Sequence, residues 1–168
     1  QGNIEKVDRL SGGEIGYIHI PDMSVEGLDM FTKLFYTQLD KKALIIDDRM
    51  NGGGNVSPMI LERLQREVYR MSMYRNGSNL PVPNEAFYGP KVCLIDKYSS
   101  SDGDLFPYGF RKLGLGKLIG KRSWGGIVGI SGSRQFVDGQ DMRTPFFTSY
   151  STEGEWIIEG HGVDPDIE

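Results

Sequence analysis

The chain has 168 residues, a formal charge of −4, a pI near 5.3, and 38% hydrophobic against 25% charged residues. That length fits one domain able to bury roughly 70% of its unfolded surface. The acidic balance, with no dense Lys/Arg block, argues against nucleic acid as the main partner, because phosphate binding needs a basic surface. No apolar run reaches the length of a bilayer span. The single cysteine, Cys93, cannot form an intrachain disulfide and reads as a buried strand thiol. The cellular compartment stays open.

In chain order, "EIGYIHI" (14–20) is β-branched and aromatic, closes at Pro21, and predicts a strand. From Val25 to Leu39 the apolar residues Val25, Leu28, Phe31, Leu34, Phe35 and Leu39 form one helical stripe. "KALIIDDR" (42–49) predicts a short strand, apolar on both faces as buried parallel strands are. It runs into "MNGGGN" and a helix expected from about Val56 to Met73, with Ile60, Leu61, Leu64, Val68 and Met71 on one face. A polar, Pro-containing loop (75–90) leads to the strand "KVCLID". The stretch "YSSSDGDLFPYGF" (98–110) then opens a further helix, ending near "KLGLG". A Gly-rich tail from about Lys117 predicts short strands and turns. This order predicts a single α/β domain over 1–168 with a largely parallel sheet. The chain starts at Gln1 and stops at "GVDPDIE" without a closing helix, so a fragment of a longer polypeptide is expected.

Ligand chemistry in such sheets collects at the carboxyl ends of the strands. Two loops fall there, "DDRMNGGGN" and "YSSSDGD", and both feed helix N-termini with unpaired N–H groups. Acyl transfer needs a hydroxyl nucleophile and two N–H donors aimed at the oxygen that becomes negative. Three consecutive glycines, Gly52 to Gly54, let backbone approach a substrate closely. Helix capping is the commoner use of a Ser-Asp run, so these loops alone leave both readings open. The glycines fit neither the phosphate-loop nor the dinucleotide pattern, and no His/Cys/Asp/Glu cluster has metal-ligand spacing.

"GYIHIPDM", "DDRMNGGGNV", "SSSDGDLFPYGFRKLGLGKLIGKRSWGGIVGI" and "EGHGVDPDIE" together resemble the tail-specific, or C-terminal processing, serine peptidases, in the pattern of their tricorn protease branch. The likeness runs from Gly16 onward in the family's order. It implies an α/β, crotonase-like core and a peptidase acting without metal or organic cofactor. It implies Ser101 as nucleophile, with the Asp102 N–H as one oxyanion-hole donor. The second donor comes from the glycine loop, at Gly54 with Gly53 the close alternative. Glu159 matches the acidic residue that orients a base histidine through an intervening serine; otherwise it is a solvent-facing strand carboxylate. Relatives with a Ser-Lys dyad carry lysine at the third place of an aromatic-Gly-Lys triplet. Here that triplet is Trp124, Gly125 and Gly126, which excludes the dyad.

A serine hydroxyl needs a base within hydrogen-bond reach. Of the two histidines, His19 reads as a satisfied strand residue, and His161 would share a strand face with Glu159. The resemblance instead places the base histidine and its serine in an upstream segment, beyond a PDZ domain, so the chain alone is expected to be inactive or nearly so. It implies a peptide or unfolded-protein substrate and homo-oligomers of the full-length form. The matching place for a specificity carboxylate is near Ser72, which has no charge. Met71, Met73 and Tyr74 either line an apolar pocket or form a helix's core face. Trp124 is either a substrate-backbone contact or a packed turn. Two other classes remain: a non-catalytic peptidase-like domain that binds peptide or supports an assembly, and an acyl-CoA enzyme of crotonase type, for which no basic adenine-phosphate site occurs.

Overall fold

The computed structural model describes residues 2–130 and 135–168. Four strands make a wholly parallel sheet: β1 (Ile15–His19), β2 (Ala43–Asp47), β5 (Lys91–Ile95) and β6 (Gly116–Gly120), adjacent in that order. The crossovers carry α2 (Val25–Tyr36), α3 (Ser57–Leu64) and α4 (Asp102–Lys112). Leu44, Ile46, Cys93, Ile95 and Leu118 alternate along the strands onto one core, which the three helices cover. The predicted α/β class with a largely parallel sheet is the observed one.

α2 starts where Ser24 accepts the Glu26 N–H at 3.1 Å, and its stripe buries Phe31 and Phe35 as a stacked pair. α3 and α4 approach closely because Gly109 leaves room for Leu61; a Cβ at Gly109 would come within 2.5 Å of that side chain. The other face of the sheet is crossed by α1 (Gly2–Ser11), a mostly polar helix with no buried residue, absent from the predicted elements although Ile4, Val7 and Leu10 make a short apolar stripe. Asn3 donates to the Tyr17 hydroxyl there, at 3.0 Å.

The helix expected from 56 to 73 is half that length. α3 ends at Leu64, with the Gln65 N–H capping the carbonyls of Leu61, Glu62 and Arg63. Beyond it, β3 (Arg70–Ser72) pairs antiparallel with β4 (Leu80–Val82), so Met71 lies opposite Pro81. Val68 and Tyr69 favour extended backbone, and the pairing with "LPV" overrides a periodicity that Val68 and Met71 continued by coincidence. Met71, Met73 and Tyr74 are therefore exposed on a hairpin, not on a helix's core face. A second small ribbon joins β7 (Gly129–Ile130) to β8 (Pro145–Phe147). Among the described residues no helix is long and apolar enough to cross a membrane.

Candidate active site

The β2–α3 glycine loop and the β5–α4 turn leave the same end of the sheet and are tied together. The Ser100 N–H donates to the Asn51 carbonyl at 2.9 Å. On its other side the glycine loop is held by the β1–α2 connection, where the Met23 N–H donates to the Gly53 carbonyl at 2.8 Å and the Met23 carbonyl accepts from Asn55 at 2.8 Å. Gly53 fills the space against the Ser101 turn, since a Cβ there would fall 2.6 Å from the Ser101 Cβ. Gly54 has φ 151° and lies against Met23, whose carbonyl any Cβ would overlap. Both positions demand glycine.

Ser101 sits half-buried at the N-cap of α4 with φ 58° and ψ −121°, a backbone state that costs a residue with a side chain about 1–3 kcal/mol. Its side chain makes no capping bond. Its carbonyl accepts from Asp104 and Leu105 at 2.8 and 3.1 Å, which fixes the turn and leaves the hydroxyl unbonded among the described residues. Strain of this kind, held by surrounding bonds while the side chain is left free, sets Ser101 apart from an ordinary N-cap, whose side chain bonds the first turn.

The N–H groups beside Ser101 differ in availability. Gly53 donates to Asn51 Oδ1 at 2.9 Å and is engaged. Neither Gly54 nor Asp102 donates its N–H to any described residue. The Asp102 carboxylate is turned away, buried, accepting from the Ser57 N–H at 2.9 Å and from the Ser57 hydroxyl. It locks the start of α3 to the start of α4.

Sequence reading treats Asp104 only as a helix-start residue, yet it organises the next layer. Fully buried, it accepts from the Gly125 N–H at 2.7 Å and the Gly126 N–H at 3.3 Å. Burial pushes its carboxyl above the usual range, while Ser123 and these amides pull the other way. The Trp124 N–H donates to the Ser99 carbonyl at 2.9 Å, so the "SWGG" segment is pinned to the β5–α4 turn. The Trp124 ring lies over Gly126, where any Cβ would overlap it, and stays 64% exposed.

Glu159 lies in a turn rather than the expected strand, because Gly160 and Gly162 take φ of 72° and 85°. Its Oε2 accepts from Ile127 at 2.6 Å and Val128 at 3.0 Å. Glu159 thus joins Ser101 through the 124–128 segment without a direct bond. Neither histidine is bonded to Ser101: His19 Nε2 lies 3.3 Å from the Arg49 carbonyl, and His161 Nε2 pairs with Asp164 at 2.9 Å. No group of three or more potential metal ligands occurs among the described residues.

Residues 14–168 match peptidase family S41. The chain belongs to that family. Its S41 relatives include the tricorn protease of Thermoplasma acidophilum, 42% identical over 168 residues, which cover 100% of this chain and 16% of that protein. A tricorn protease homologue of Saccharolobus solfataricus is 41% identical over 167 residues, 98% of this chain and 15% of that protein. The crystal structure of the tricorn protease superposes with a TM-score of 0.91 at 42% identity, over 99% of this chain and 16% of the other. The photosystem II D1 C-terminal processing protease shares the S41 fold, with a TM-score of 0.64 at 18% identity, over 91% of this chain and 42% of that one. The chain thus spans about a sixth of the length of the tricorn relatives it matches.

Proposed function

We propose that the chain is the nucleophile-bearing domain of a serine peptidase that hydrolyses peptide bonds through an acyl-enzyme on Ser101. The observation that carries this reading is the strained Ser101 turn, with unbonded N–H groups on Gly54 and Asp102 beside it. Membership of family S41 and 42% identity to a tricorn protease support it.

In the proposed reaction Ser101 Oγ attacks the scissile carbonyl carbon and its proton passes to a base. The carbonyl oxygen becomes negative and takes hydrogen bonds from the Gly54 and Asp102 N–H groups, where the N-terminus of α4 adds a favourable dipole. Collapse expels the amine, which receives the proton from the base, and water then releases the acyl group by the same steps. Because His19 and His161 are bonded elsewhere, the base histidine is assigned to a segment outside these 168 residues. Glu159 orients it through an intervening serine. The exposed Trp124 beside the nucleophile turn suits an extended peptide or unfolded-protein substrate laid along the "SWGG" backbone.

Fluorophosphonate labelling of the chain and of Ser101→Ala, read by intact mass, tests the proposal. Adduct on the wild type that disappears in the variant means a formed nucleophile and oxyanion hole. Adduct on the complete polypeptide alone places the base in the rest of it. Silence from both favours a peptide-binding or assembly domain without catalysis.

A further inference from the structure

Asn51 is fully buried between the two loops of the site, and all its polar atoms are engaged. Its Oδ1 accepts from the Gly53 N–H at 2.9 Å. Its Nδ2 donates to the Ile20 carbonyl at 3.0 Å and to Asp48 Oδ1 at 2.9 Å. Its own N–H donates to the Asp48 carbonyl at 3.3 Å, and its carbonyl accepts from Ser100 at 2.9 Å. These bonds reach the end of β1, the glycine loop and the nucleophile turn. The first turn of α4 also backs onto the same residue, since a Cβ on Gly103 would lie 2.8 Å from the Asn51 carbonyl oxygen and 3.1 Å from Oδ1.

The bonded neighbours matter because of what stands next to them. Gly53 precedes Gly54, and Ser100 precedes Ser101, so one residue connects the oxyanion donor to the nucleophile by one bond on each side. It also engages the Gly53 N–H, whereas the Gly54 N–H is bonded to no described residue. Only an amide of this length offers both an acceptor for Gly53 and donors for Ile20 and Asp48. Asp48 closes the set from beneath: it is fully buried, and its Oδ2 has no partner.

We propose that Asn51 is a positioning residue of the oxyanion hole, holding the Gly54 N–H and the Ser101 turn at a fixed separation through Gly53 and Ser100. This rests on the serine-peptidase reading above. Asn51 touches neither substrate nor reacting atoms and acts through its neighbours.

The test compares fluorophosphonate labelling rates of the complete polypeptide carrying this chain, as wild type, Asn51→Ala, Asn51→Asp and Ser101→Ala, each shown folded by circular dichroism. Asn51→Ala is expected to slow labelling by about 10²-fold, the scale of one lost oxyanion donor. Asn51→Asp keeps the acceptor for Gly53 and loses both donors once its carboxyl ionises, which burial beside Asp48 defers to higher pH than for a free Asp. Its deficit relative to wild type is expected to shrink as pH falls and the new carboxyl regains a proton to donate, a recovery that a merely structural role would not give. Should Asn51→Ala not fold, Asn51→Asp carries the test. Should neither fold, amide exchange in the wild type replaces them, with Gly53 and Ser100 expected to open together and independent opening overturning the inference. Folded Asn51 variants labelling at the wild-type rate, or a pH-independent deficit in Asn51→Asp, overturn it while the peptidase reading stands. A wild type that does not label removes both.

Discussion

The carboxyl end of the parallel sheet and the two antiparallel ribbons are built on opposite terms. At the first, buried polar side chains (Asp48, Asn51, Ser99, Asp102, Asp104 and Ser123) pin one loop to another. At the second, apolar side chains such as Met73, Phe146 and Phe147 lie open to solvent, Met73 at 83% exposure. A buried polar group is stabilising only when its partners are fixed, so each one specifies geometry; an exposed methionine or phenylalanine specifies none. Positional accuracy in this molecule therefore resides in its buried carboxylates and amides, and the ribbons hold surface in reserve.

The contrast is open to attack by substitution, beginning where the largest effect is expected. Ser101→Ala should abolish phosphonate labelling while leaving the thermal midpoint near or above the wild-type value, because the nucleophile's strain is conformational. Gly54→Ala should cost about 3 kcal/mol or more in chemical denaturation, combining positive φ with overlap on Met23. Asp104→Ala leaves the Gly125 and Gly126 amides unpaired and should cost about 1–3 kcal/mol. Faster hydrogen exchange through 123–128 would localise that loss.

Asp48→Asn should be nearly neutral at low pH and should weaken the pH dependence of stability. Burial holds the Asp48 carboxyl well above its ordinary value, so the unfolded chain ionises first as pH rises. The wild type's contribution is fully present below about pH 4 and is lost as pH climbs through the folded pKa. Denaturation at pH 5 and pH 8 should show a flatter slope for the variant; an unchanged slope would mean that Asp48 is not the source. Met73→Ser, on the exposed ribbon, should stay within about 0.5 kcal/mol of wild type. A larger loss there would erase the contrast between the two regions.

Much of the first region is readable from the chain. The parallel strands announce themselves by short apolar runs and the two candidate loops by their place at the carboxyl ends, while the choice of Ser101, Asp102 and Gly54 within them comes from the family resemblance. The resemblance supplies Glu159, whose neighbours Gly160 and Gly162 carried an unread signal for a turn instead of a strand. Two things were hidden for one physical reason. The early stop of α3 depends on pairing with residues 80–82, and the roles of Asp104 and Asn51 depend on partners brought in by the fold. Local patterns report what a segment can bury, not which distant backbone it will meet.

The indole lying over Gly126 couples two positions that are not bonded neighbours. Any side chain placed at 126 would meet the Trp124 ring, so the ring would have to turn aside before that side chain could fit. Because the ring is 64% exposed, it has solvent to turn into. The rotamer of Trp124 is thus a register of what stands two residues on: glycine at 126 permits the stacked indole, and any larger residue would trade it for a displaced one.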